Sequence, residues 1–121
     1  MARGDFNYIP VNHTFTASSP VFDKDFPVEL GGGQAVVDDG YLLITVRSVD
    51  SENHRIAING QDLSGFDIPK PPGDSDAWLT YMDRIQPNVL HGGTNHLQIT
   101  RVGNDDFVVK DIVVHWREQA A

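Results

Sequence analysis

Five histidines, three acid pairs and one ring-bearing loop are the parts of this chain whose chemistry could matter. His13, His54, His91, His96 and His115 invite a metal or a general base. No two of them stand four apart as on a zinc-binding helix, and the chain has no cysteine to complete a thiolate site. His91 and His96 flank one turn, and His13 and His115 would meet only if the first and last strands pair. The reading is therefore of surface or strand-end histidines. No Gly-x-Ser-x-Gly elbow exists, and no Gly-Lys-Ser/Thr follows Gly31-Gly32-Gly33 to make a phosphate loop. Two carboxylates could serve glycoside hydrolysis only across a cleft, which a small sandwich is not expected to offer. The expectation is a protein that is not an enzyme.

The acid pairs are Asp38-Asp39, Asp74-x-Asp76 and Asp105-Asp106. Each could lend oxygens to Ca²⁺, a hard cation that takes six to eight of them, but none has EF-hand spacing. Turn carboxylates more commonly hydrogen-bond their own backbone. The loop 64–78 is the longest stretch without strand pattern and holds Pro69, Pro71 and Pro72. It sets the rings of Phe66 and Trp78 beside Asp67, Asp74 and Asp76, a pairing of stacking faces with hydrogen-bond acceptors that suits a sugar. These five residues are the candidate ligand-binding set. Prolines would also limit the entropy lost when such a loop docks. In the structural alternative the prolines brace a crossing between sheets and Phe66 enters the core.

The elements that must position these groups read as strands. The 121 residues form one domain, 1–121, with 11 glycines and 7 prolines that suit many tight turns. Residues 6–9 before Pro10 read as an edge strand, and 11–16 as another with Val11, His13 and Phe15 on one face. Residues 22–30 and 34–37 follow, the latter closed by a hairpin at Asp38-Asp39-Gly40. The most apolar run, 41–46, reads as a central strand covered on both faces. His54 to Ile58 turns at Asn59-Gly60 and pairs back through residues 61–63. Strands at 78–85, 97–102 and 107–114 complete the chain, with one helical turn expected at 85–90. Leu43, Ile44, Ile58, Leu97, Ile99 and Ile112 are expected in the core. Trp78 and Trp116 are both expected to pack in the core or at its rim, with Trp78 in the ligand-binding set only if a binding face exists. About eight or nine strands with short turns predict an all-β, two-sheet antiparallel sandwich of the jelly-roll kind.

Two stretches resemble the galactose-binding-like jelly rolls, the superfamily of many carbohydrate-binding modules. One is Arg55-Ile56-Ala57-Ile58-Asn59-Gly60. The other is Leu90-x-x-Gly93-x-Asn95-x-Leu97-x-Ile99, where a Gly turn and an Asn precede a core strand. Residues 107–116 look like the closing strand of those domains, which returns beside the N-terminal one. The resemblance implies a non-catalytic carbohydrate-binding module. It also implies that Asp111 holds a position used for a structural calcium, with Asp5 the available acidic partner. Gly93 is expected at positive φ, with Asn95 bonded to neighbouring backbone.

Charge narrows the partners. The formal net charge is −8 and the nine basic residues are scattered, so nucleic acid is not expected. No run approaches the ~20 apolar residues of a membrane span, so no membrane partner is expected. The N-terminus lacks the apolar core of a signal peptide, which predicts a cytoplasmic protein unless another route exports it. Two functions compete: a carbohydrate-binding module, and a structural protein that assembles into homo-oligomers or a larger particle with protein partners.

Overall fold

The computed structural model describes residues 3–50, 54–63, 68 and 77–120. Its strands are β1 (Arg3–Phe15), β2 (Val21–Val28), β3 (Gln34–Arg47), β4 (Arg55–Ile58), β5 (Gln61–Asp62), β6 (Leu79–Ile85), β7 (Gly93–Thr100) and β8 (Phe107–Ala120). They form two antiparallel four-stranded sheets in the orders β1-β8-β3-β6 and β2-β7-β4-β5. The fold is all-β, and this strand order is a jelly roll.

Its logic starts at the middle of the chain. Asn59 and Gly60 both take positive φ, 53° and 80°, the requirement of a two-residue hairpin whose twist matches its strands. β4 and β5 pair across that turn. Outward from it, β3 pairs β6, β2 pairs β7 and β1 pairs β8. The sandwich is one long hairpin folded over on itself. Four connections between the sheets therefore leave their strands at one end of the sandwich, after Phe15, Arg47, Asp62 and Thr100.

Between the sheets, period-two alternation buries Leu42, Ile44 and Val46 of β3, Ile56 and Ile58 of β4, Leu97 and Ile99 of β7, and Ile112 and Val114 of β8. Each such side chain contributes about 1.5–3 kcal/mol on leaving water. Phe15 stacks on Phe107 at 4.5 Å between ring centroids and nearly parallel. Trp116 is buried as well, in the body of a strand that continues to Ala120.

The structure corrects several expectations. Asp38-Asp39-Gly40 is no hairpin: β3 runs through it, and the pairing with β8 steps from Val37↔Arg117 to Tyr41↔His115. Asp38, Asp39 and Gly40 thus stand opposite the single residue Trp116, a bulge in which Asp38 takes the left-handed conformation (φ 59°). Gly40 is needed there for space, since a Cβ would lie 2.6 Å from the His115 carbonyl oxygen. Residues 6–16 likewise form one strand, with the register shift between Pro10 and His13 rather than a break. β1 lies at a sheet edge, the place in a sheet where a proline is tolerated.

β3 is central but covered on one face only, so Leu43 is half-buried rather than core. Residues 86–89 make a hydrogen-bonded turn with Asn88 at φ 71°, not a helical turn.

The two outer faces differ. That of the second sheet carries Asp23, Asp25, His96 and Gln98, tied to one another by hydrogen bonds. That of the first sheet exposes Phe6, Tyr8, Tyr41, Trp78 and Met82 among its polar side chains.

Candidate functional site

The Gly-Gly-Thr-Asn turn proves structural, as its composition suggests. Gly93 sits at φ 97°. Asn95, buried, donates through Nδ2 to the carbonyls of His91 (2.8 Å) and Gly93 (3.1 Å), and its Oδ1 accepts from the His91 amide. It occupies the end of the sandwich away from the four crossings.

The histidines do not converge. His13 lies opposite Val109 and His115 opposite Phe6, so pairing of the first and last strands leaves them apart. His91 Nδ1 bonds the Gly92 carbonyl, while His96 bridges Asp25 and Asp23 at 2.8 Å each. The carboxylates of Asp25 and then Asp23 raise the His96 imidazole above its ordinary range.

His13 Nε2 lies 3.2 Å from both the Ser19 hydroxyl and the Ser19 carbonyl. The carbonyl can only accept, so this nitrogen is a donor and no base for the hydroxyl.

The sequence reading missed His54, which is buried rather than superficial. Its Nδ1 accepts the Val102 amide at 3.2 Å, so Nε2 carries the proton and donates to Asp105 Oδ2 at 2.7 Å. The Asp50 amide donates to the same oxygen, and Arg101 Nε donates to the Asp105 carbonyl. Both ring nitrogens are committed, so the pair resembles a catalytic dyad only in composition. It pins Asp50 and His54 to the crossing at 101–106. No local signal could reveal a pair 51 residues apart.

Of the candidate ligand-binding residues, Phe66, Asp67, Asp74 and Asp76 lie outside the described residues. Trp78 lies at the end where the four crossings gather, and it is 43% exposed. Alternation places Trp78, Thr80 and Met82 of one run on the outer face, while Tyr81 packs against the core. Arg47, beyond Val46↔Leu79 in the ladder, brings Cζ to 4.8 Å from the Trp78 ring centroid, and Lys110 brings Nζ to 5.8 Å. Both are within cation–π range. Arg3, Arg84, Arg101 and Arg117 each reach a carboxylate. Among the described residues no carboxylate pairs with Arg47 or Lys110. Beside them the hydroxyls of Thr45 and Thr80 bond at 2.9 Å, and Asp111 accepts from the Tyr8 hydroxyl at 3.2 Å.

Asp111 and Asp5 do not meet. Asp5 pairs with Trp116 and Asp111 with Pro10, five rungs apart, or about 17 Å, and on opposite faces. Among the described residues no three His, Asp or Glu groups gather as a metal ion would require.

A family model described as "Family of unknown function (DUF7383)" matches residues 11–118. The chain belongs to the DUF7383 family. No curated protein sequence matches it. Among solved structures, the EclA C-terminal domain, described as a sugar-binding protein, superposes with a TM-score of 0.49. It shares 12% identity, over 93% of this chain and 78% of that one. Among the described residues no helix is long and apolar enough to cross a membrane.

Proposed function

We propose that this DUF7383 protein is a non-catalytic binding module that takes an acidic carbohydrate at the Trp78 end of its first sheet. The observation that carries the reading is an exposed indole flanked by two cations, Arg47 and Lys110, that no described carboxylate neutralises. An indole offers a sugar's CH face an apolar plane. A uronate or sulfate group on that sugar would complete the charge of Arg47 and Lys110. Thr45, Thr80 and Asp111 supply donors and acceptors for hydroxyls. Two cations are too few for a nucleic-acid track. The resemblance of the 55–60 and 90–99 segments to galactose-binding-like domains agrees with the reading.

The test is calorimetric titration with oligogalacturonates and sulfated oligosaccharides against neutral oligosaccharides of matched length. Binding of an acidic ligand, lost in Trp78→Ala without a change in melting temperature, is the expected result. Absence of binding by every saccharide would end this reading.

A further inference from the structure

The outer face of the first sheet has a second feature, away from Trp78. Register aligns two rows across all four strands. One runs Phe6, His115, Tyr41, Arg84, and the next Tyr8, Val113, Leu43, Met82. Phe6 is 60% exposed, Tyr8 53%, Tyr41 41% and Met82 66%. Tyr41, Leu43, Met82 and His115 line a hollow of about 450 Å³. An isolated sandwich gains nothing from presenting such groups to water, and its other outer face shows that polar residues satisfy the same ladder. A contiguous apolar patch of this kind marks a contact surface.

We infer that this face is the interface of a two-fold homodimer, in which the first sheets of two copies stack face to face. Charge selects the second copy over another occupant. The chain carries −8, so most approaches of two copies are repulsive. This face is the exception. Arg84 binds Asp39 through two contacts at 2.8 and 2.9 Å, and Arg117 lies 3.6 Å from Asp38, so the charges at its margin are cancelled from within. With Arg47, Lys110 and Asp111 counted, four cations meet three carboxylates, and the excess negative charge lies elsewhere. A basic partner would dock on that acidic remainder, and a sugar needs more polar grip than these rows offer.

Shape agrees with self-association. The protruding Met82 stands beside a hollow, and a two-fold axis places each copy's knob over its partner's hole. The two rows lie about 7 Å apart along the strands and span about 14 Å across them. With side-chain width they cover roughly 20 by 12 Å and bury on the order of 500 Å² in a face-to-face contact. The rows on either side must join to reach the ~1,000 Å² of a stable interface. Trp78 lies four residues beyond Met82 on the same run, about 13 Å away, and stays at the rim. The inference is independent of the saccharide reading.

Sedimentation velocity decides it. The wild-type chain at about 100 µM should sediment as a dimer and dissociate on dilution to about 0.1 µM. Met82→Glu and Tyr41→Glu, both at exposed positions, should be monomeric at the higher concentration with melting temperature and circular dichroism unchanged. Val21→Glu, on an exposed position of β2, should leave the dimer intact. A wild-type monomer at ~100 µM overturns the inference. So does a dimer that survives Met82→Glu and Tyr41→Glu, or one that Val21→Glu disrupts. A monomer whose Met82 methyl resonance shifts with an oligosaccharide would assign the face to that ligand and overturn it equally.

Discussion

Asn59 donates through Nδ2 to Asn95 Oδ1 across 2.7 Å, so the two turns that stand out in the sequence are one hydrogen-bonded unit. Asn59 Nδ2 also donates to the Val89 carbonyl, and its Oδ1 accepts from the His96 amide at 2.8 Å. The central hairpin, the 86–89 turn and the entry to β7 are fastened through two side chains. An Asn in each motif is thus explained by the other, a dependence that neither segment shows when read alone.

Removing either side chain strands buried amides of the other network. Asn95→Ala and Asn59→Ala should each cost about 2–3 kcal/mol, read from urea denaturation. Because they share one bond and one cluster, the double variant should lose less than the sum, by about 1 kcal/mol. Strict additivity would show that the two turns are independent.

Glycine positions divide by physical cause. Gly40→Ala should cost about 2–4 kcal/mol, since the new Cβ meets the His115 carbonyl oxygen, and backbone cannot give way as a side chain can. Gly93→Ala meets open space and should lose about 1 kcal/mol for its φ of 97° alone. Gly32→Ala has neither problem and should stay within about 0.5 kcal/mol of wild type. Equal effects at all three sites would refute this division.

Much of the fold was legible because its signals are local. Alternation marked the strands, Asn59-Gly60 marked the central hairpin, and Leu97, Ile99 and Ile112 sit in the core as their pattern requires. Asp38-Asp39-Gly40 misled because a bulge and a hairpin both call for positive φ and small residues. Only the partner strand distinguishes them. The two-sided burial expected for residues 41–46 failed because an apolar outer face and a covered face look identical in one sequence. The site was less legible. Trp78 is exposed where core or rim packing was the first expectation, its cationic neighbours come from β3 and β8, and His54 and Asp105 meet across 51 residues.

His54→Ala should destabilise the protein by about 2–4 kcal/mol, because it removes a buried ring stacked on Phe107 and takes one donor from the buried Asp105 carboxylate. The melting midpoint in urea measures this. A loss below about 1 kcal/mol would mean that the crossings are held by other contacts.

His96 predicts a pH dependence whose sign follows from its neighbours. Asp25 and Asp23 hold the imidazole above its ordinary value near 6.5, so the fold favours the imidazolium. That contribution is complete below the unfolded value and is lost as pH rises through the raised folded one. The group is 45% exposed and screened, so the added fall in melting temperature across that window should be only roughly 1–3 °C. His96→Gln should remove it. Proton NMR of the His96 ring should show titration above the ordinary histidine range, and titration at or below that range would contradict the bridging geometry.

Arg47 and Lys110 predict how the Trp78 site discriminates between ligands. Both are exposed strand residues outside the core, so Arg47→Gln and Lys110→Gln should fold with melting temperatures near that of the wild type. Each should weaken an acidic oligosaccharide by roughly tenfold, the loss of about 1.4 kcal/mol from a charge-assisted contact. Trp78→Ala should instead weaken charged and neutral ligands alike, because a stacking plane does not read charge. Raising salt from about 50 to 500 mM should weaken wild-type binding and leave the Arg47→Gln, Lys110→Gln double variant nearly insensitive. If the double variant retained both its affinity and its salt dependence, the two cations would be serving only to pack the indole, and the acidic character of the ligand would have to be given up.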